Sequence, residues 1–146
     1  MYLSTNAADY ESFMRINRPK YADSWERWNT TLHMLKELNT RTVLRITLIR
    51  DYNTGEEMIP SFASMIKDSS ANFVEIKSYM HIGRSTNRLE RENMLELDEV
   101  RHIANEMAKQ SKIFSIMDES YISRIVILQN NERFIDRFIP AYSQTN

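Results

Sequence analysis

The stretch Arg41–Asn53, RTVLRITLIRDYN, restricts the fold more than any other segment of the chain. Read with a two-residue period, it sets Leu44, Ile46 and Leu48 on one face and Arg45 and Thr47 on the other, within a β-branched apolar run. A strand covered by helices on both faces would be apolar on both. A guanidinium and a hydroxyl in such a place need partners, so one face is expected against a core and the other around a cavity or ligand.

Two further segments repeat the pattern. Phe73–Met80 sets Val74 and Ile76 opposite Phe73, Glu75, Lys77 and Tyr79, and Met1–Asn6 reads as a strand with Tyr2, Ser4 and Asn6 on one face. Glu75 and Lys77, neighbours on one face, can pair with each other or together hold a polar ligand. Tyr121–Leu128, apolar from Ile125 onward, is expected to be the last strand.

Helices are expected between these strands. Asp9 to Ile16 is closed by Arg18-Pro19, because a residue before proline is biased away from helical angles. A second helix opens with a capping-box-like Asp23 and Glu26, and Trp25, Trp28, Leu32, Leu35 and Leu38 recur at helical spacing as core. Asp51–Gly55 is a turn, after which Pro60 enters the first turn of a helix with Phe62, Met65 and Ile66 on its apolar face. Val100, Ile103, Ala104 and Met107 define another helix ending near Lys112. The tail Arg133–Asn146, with Phe134, Ile135, Phe138 and Ile139, is expected to hold a short docked helix. Strands alternating with helices imply parallel β-structure with right-handed crossovers. The one polar face favours a barrel with a ligand inside over a doubly wound sheet.

Composition removes several alternatives. The 146 residues suffice for one globular domain, and a net charge of −1 gives no global attraction to nucleic acid or membrane. Without cysteine, disulfides and thiolate-held metals are excluded from this chain. His33, His81 and His102 share no helical ligand spacing, so no metal is assigned. No run of about 18 apolar residues is present, and a cytoplasmic protein without membrane contact is expected. The loop His81–Glu96 is locally basic through Arg84, Arg88 and Arg91, which suits phosphate as well as solvent.

Taken together, RPKYADSWERW, RTVLRITLIRDYN, NFVEIKSYMHIGRSTNRLERENM and MDESYISRIVIL resemble the C-terminal half of the tRNA 4-demethylwyosine synthase family of radical S-adenosylmethionine enzymes. The resemblance spans about Tyr2 to Leu128. It implies an α/β fold, the C-terminal half of a partial (β/α)6 TIM-like barrel over residues 1–128, with residues 129–146 as a tail. It also implies a lyase-type reaction in tRNA processing. N1-methylguanosine 37 of tRNA(Phe) is joined to carbons from pyruvate, begun by reductive cleavage of S-adenosylmethionine at a [4Fe-4S] iron-sulfur cluster on the way to wybutosine-type bases. Ser4, Asn6, Arg45 and Thr47 would line the S-adenosylmethionine pocket. Asn53 and Tyr79 would lie on the pyruvate and tRNA side with Lys77 and Glu75 as catalytic residues, and Arg84, Arg88 and Arg91 would contact the anticodon arm.

Departures from the family accompany this. The cluster-binding CxxxCxxC is absent, so a fragment, one subunit of a split enzyme with an N-terminal cysteine-bearing half, or a non-catalytic tRNA-binding remnant are the readings left open. The start inside a strand fits a fragment. The family's Ser-x-Asp reads Ser4-Thr5-Asn6, its usual lysine reads Arg50, and a glycine reads Ser78.

Overall fold

Alternating side chains do divide this protein into two unlike faces. The computed structural model describes residues 1–138, and its framework is a five-stranded mixed sheet in the order β1-β2-β3-β5-β4. The strands are β1 (Tyr2–Thr5), β2 (Val43–Leu48), β3 (Phe73–Ser78), β4 (Phe114–Ser120) and β5 (Ile125–Asn130). Four helices accompany them: α1 (Tyr10–Asn17), α2 (Ser24–Met34), α3 (Ile59–Ser69) and α4 (Leu97–Ser111). Leu44, Ile46, Leu48, Val74, Ile76, Val126 and Leu128 project from the sheet into a core completed by Leu32, Phe62, Ile66, Val100, Ala104 and Met107 of α2, α3 and α4. The opposite face carries Arg45, Thr47, Glu75 and Lys77.

Register fixes which polar groups meet. β1, β2 and β3 are parallel, with Ser4 opposite Arg45, Arg45 opposite Glu75, and Thr47 opposite Lys77. A one-residue slip would turn the whole apolar set outward, so this register is strongly specified.

The expectation of parallel strands throughout fails after β3. β5 is antiparallel to β3, and β4, which the sequence reading did not separate, is antiparallel to β5 at the sheet edge. The expected strand Tyr121–Leu128 therefore begins only at Ile125. Tyr121–Arg124 is the hairpin turn, with Arg124 left-handed at φ 49°. That connection is too short for a parallel crossover, and the polar, largely exposed sequence FSIMDES suits an edge strand better than an apolar-periodic one.

Helix ends follow local chemistry. The Asp9 carboxylate accepts from the Ser12 N–H at 2.8 Å, capping α1, whose C-cap Arg18 is left-handed at φ 47°. Asp23 caps nothing with its side chain and instead pairs with Arg27 one turn on, so the expected capping box does not form. Pro60 enters the first turn of α3 as expected, and α4 ends at Lys112, left-handed at φ 65°. Trp25 and Trp28 are half-buried, stacked on each other at 5.6 Å, with Trp25 also meeting Phe13 edge-on. Arg133–Phe138 forms no helix. Arg41 donates to the carbonyls of Asp136 and Phe138, and Arg137 pairs with Asp118. Ile139, the last apolar residue of the expected tail helix, lies outside the described residues.

Two polar devices hold the layers in place. At the N-terminal end of the parallel strands, buried Asn72 accepts from the Thr42 N–H and hydroxyl, both at 2.9 Å, and donates to the Arg133 carbonyl. At the other end, Arg50 grips Glu99 of α4 with two bonds of 2.6 and 2.7 Å and reaches the carbonyls of Glu92 and Met94. This hydrogen bond from Arg50 outweighs burial and holds the Glu99 carboxyl below its ordinary pKa.

Asn72→Ala leaves Thr42 without its acceptor in a buried setting, and urea unfolding should show a loss of about 2–3 kcal/mol. Glu99, with its pKa depressed on folding, contributes stability above the ordinary glutamate range that is lost as pH falls through its lowered value. Glu99→Gln should therefore lower Tm at neutral pH and flatten the acid-side decline of Tm. An unchanged decline would refute the contribution.

Candidate functional site

Parallel strands carry side chains and loops to a common end, and here β1, β2 and β3 bring Asn6, Thr47 and Tyr79 to one cavity of about 520 Å³. Ligand sites of parallel α/β sheets form beyond the carboxyl ends of strands, as this one does. Its apolar floor is a small cluster separate from the main core, Ile16, Ile49 and Tyr79 with Tyr52 and Leu89 against them. Arg15, Arg18 and Arg88 complete the wall.

Asn53 builds this end of the sheet. Its side chain, buried at 2% exposure, accepts from the Ile49 N–H at 2.6 Å and donates to the carbonyls of Asn6 at 2.8 Å and Thr47 at 2.9 Å. One amide thus fixes the spacing of the β1 and β2 ends. These bonds all go to backbone, so Asn53 shapes the cavity without lining it. Asn6 is the reverse case: among the described residues its Oδ1 is the one buried side-chain polar atom without a hydrogen-bond partner. A buried acceptor left open costs free energy unless a ligand or water donates to it.

One register row deeper lie Ser4, Arg45 and Glu75. Ser4 is exposed, whereas Glu75 is buried and takes two bonds from Arg45, at 2.8 and 3.3 Å. The Arg45 guanidinium also lies 4.7 Å over the Tyr2 ring. The hydrogen bond to Glu75 holds the Arg45 pKa above its ordinary value against the opposing effect of burial. The cross-strand neighbour therefore takes the carboxylate that the sequence offered to Lys77. Lys77, half-buried beside Thr47, forms no ion pair among the described residues.

The remaining predicted residues scatter along the same end. Tyr79 donates to Ser85 Oγ at 3.1 Å and its hydroxyl lies 3.2 Å from His81 Nδ1. Arg88 donates to the Ile16 carbonyl at the cavity, while Arg84 and Arg91 are exposed in the short 3₁₀ turns Gly83–Asn87 and Arg91–Asn93. Ser78 accepts from the Leu95 N–H at 2.8 Å and so ties the loop to β3. Arg15, Arg18 and Tyr52 are not among the site residues expected from the sequence, where Arg18 marks only the end of a helix; the i, i+3 spacing of the two arginines beside Pro19 is the available signal.

Cofactor fit differs between groups. Asn6 and Thr47, an open acceptor and a hydroxyl at one cavity, suit the ribose and amino groups of a nucleoside such as S-adenosylmethionine. A [4Fe-4S] cluster does not fit: the chain has no cysteine, and no His, Asp and Glu group able to hold a metal is found among the described residues. A second cavity of about 570 Å³ sits toward the other end of the open sheet face, against Tyr2, Phe73, Ile127 and Phe138. Of the predicted site residues it holds only Glu75.

Arg45→Met strands the Glu75 carboxylate, and equilibrium unfolding should lose about 3 kcal/mol. Adding Glu75→Leu should recover most of that loss; a double variant as unstable as the single one would show that the pair is not what matters.

Comparison with known proteins gives a consistent result. The family model for wyosine base formation matches residues 68–130. The S-adenosyl-L-methionine-dependent tRNA 4-demethylwyosine synthase of Methanocaldococcus jannaschii is 39% identical over 93% of this chain, and the Pyrococcus abyssi enzyme of that name 34% over 90%. The Arabidopsis thaliana relative is 32% identical over 92%. The chain spans 42%, 38% and 21% of those three proteins. A solved structure of TYW1 with a lysine–pyruvate adduct bound superposes with a TM-score of 0.80 at 37% identity, covering 92% of this chain and 41% of that one. A crystal structure of archaeal TYW1 gives 0.72 at 32% identity, covering 92% and 40%. By sequence and by fold the chain matches the tRNA 4-demethylwyosine synthases, of whose archaeal members it spans about two fifths.

Proposed function

We propose that this chain is the C-terminal barrel portion of a tRNA 4-demethylwyosine synthase, acting in wyosine-type modification of guanosine 37 of tRNA(Phe) in the cytoplasm. The observation that carries the reading is the polar face of the parallel strands, opposite the layer of α2, α3 and α4, leading to a cavity at their carboxyl ends, which suits half of a (β/α)6 barrel interior. The partner that completes it is an N-terminal cysteine-bearing half, on the same polypeptide or on a separate one, which supplies the ligands for the [4Fe-4S] cluster.

Asn6 and Thr47 hold the nucleoside part of S-adenosylmethionine, with the Asn6 Oδ1 accepting from a ribose hydroxyl. Bound there, S-adenosylmethionine would supply the adenosyl carbon that starts a radical condensation of N1-methylguanosine with pyruvate. Arg45 and Ser4 face the same interior one register row deeper, and the Arg45–Glu75 pair keeps that wall rigid. Lys77, with no carboxylate partner among the described residues, is the cation for the pyruvate carboxylate. Tyr79 closes the floor beneath it, and Asn53 keeps the strand ends in place. Arg84, Arg88 and Arg91 face the anticodon arm.

The non-catalytic, tRNA-binding reading is favoured by one observation, the absence of cysteine from the chain. Co-expression with a cysteine-bearing N-terminal half of a relative separates the two. Iron incorporation and a tRNA-modification product are expected for the enzyme, and their absence leaves the binding module.

Calorimetric titration of S-adenosylmethionine into the chain should give saturable binding that Asn6→Ala weakens about tenfold, as expected for one lost hydrogen bond. No binding, or equal binding by the variant, would overturn the cofactor assignment.

A further inference from the structure

The arginines of this protein fall into two groups. Arg27, Arg45, Arg50, Arg101, Arg124 and Arg137 each pair with a carboxylate. The other seven pair with none among the described residues: Arg41 and Arg133 donate to backbone carbonyls, Arg84 and Arg91 are exposed in the loop after β3, and Arg15, Arg18 and Arg88 together line the cavity of about 520 Å³ at the strand ends, whose wall contains no aspartate or glutamate.

These last three come from two distant parts of the chain. Arg15 lies in the last turn of α1 and Arg18 is its C-cap; Arg88 follows the 3₁₀ turn after β3. Two of them stitch the mouth together through carbonyls. Arg15 Nη2 donates to the Tyr52 carbonyl at 2.8 Å, and Arg88 Nη2 donates to the Ile16 carbonyl at 3.2 Å. Each guanidinium keeps further N–H donors after making that one bond. Arg18 is held at φ 47°, a left-handed angle that non-glycine residues disfavour and that the following Pro19 disfavours further. The negative end of the α1 dipole accounts for cations at Arg15 and Arg18, but not for Arg88 arriving from another segment.

We infer that Arg15, Arg18 and Arg88 form a phosphodiester-binding rim that grips the RNA backbone beside the nucleotide presented to the cavity. The chemistry is that of guanidinium forks on phosphate oxygens, which fix position without reading sequence. Below the rim, Tyr52 and Tyr79 stand beside Ile16, Ile49 and Leu89, an aromatic and aliphatic surface suited to an unstacked base. This inference rests on the proposed tRNA substrate and adds the α1 arginines, which lie outside the basic loop that carries Arg84 and Arg91.

The test is fluorescence anisotropy of a labelled RNA stem–loop titrated with the chain across a salt series, comparing Arg15→Gln/Arg18→Gln/Arg88→Gln with a control of equal charge loss, Arg27→Gln/Lys36→Gln/Lys109→Gln. The rim variant should bind at least about tenfold more weakly, and its log–log salt slope should fall by about 2 as phosphate contacts are lost. The control should keep both values. Circular dichroism and Tm report whether the rim variant is folded, and Arg15→Lys/Arg18→Lys/Arg88→Lys, which keeps the charge, should recover most of the slope. If the chain binds the stem–loop but rim and control variants behave alike, the rim is overturned while an RNA substrate stands. If the chain binds no RNA even at low salt, the substrate reading and the rim fall together. Phosphate displacing RNA far better than chloride at equal ionic strength would assign the arginines to free phosphate and overturn the backbone contact.

Discussion

A carboxylate buried on a central strand must have a cation within hydrogen-bonding reach, and Glu75 has Arg45 because the two occupy the same register row of adjacent parallel strands. That pair ties sequence pattern to architecture. It can form only if β2 and β3 align as they do, and the same alignment sends Leu44, Ile46, Val74 and Ile76 into the helical layer. Shifting the strands by one residue would bury the charges under α3 and expose the aliphatic row. The division of the sheet into an apolar face and a polar one is therefore enforced from both sides.

The ends of the strands inherit their geometry from this framework. Asn53 turns the chain back and binds the carbonyls of Asn6 and Thr47, so two cavity residues are set by a third that does not touch the cavity. Arg50 and Ser78 perform a similar task on the other side, anchoring the loop before α4 to the sheet. With these groups fixed, the open Oδ1 of Asn6 is a consequence of the turn: its amide is placed with its backbone carbonyl already used by Asn53. The site is thus built chiefly by amide and guanidinium contacts to backbone, with ionic contacts one layer deeper.

Much of this was legible in the chain. Period-two alternation in RTVLRITLIRDYN and FVEIKS specified both faces of β2 and β3, and Pro60 and Lys112 marked real helix boundaries. The hairpin was not legible because β4 sits on an edge, where half-exposed polar residues satisfy the strand without a hydrophobic signature. Arg45, and not Lys77, took Glu75 because cross-strand distance depends on register, which no single segment contains. Likewise, the cavity wall unites Arg15 with Arg88, residues far apart in sequence, and only the folded sheet makes them neighbours. Cofactor and substrate roles came from family resemblance, since a lone Asn or Thr carries no such information.

The backbone reversals near the cavity differ in which residue carries each. Arg18 and Asp51 hold left-handed angles with bulky side chains attached, and of the chain's two glycines only Gly83 adopts such an angle, at φ 63°. Gly55, in the turn after β2, sits at φ −63°, whereas a Cβ at Gly83 would meet nothing within 4 Å. Two reversals near the cavity thus turn on bulky residues held at left-handed angles, and a third turns on Gly83. A side chain at Gly83 would therefore strain the backbone even though its Cβ would meet open space.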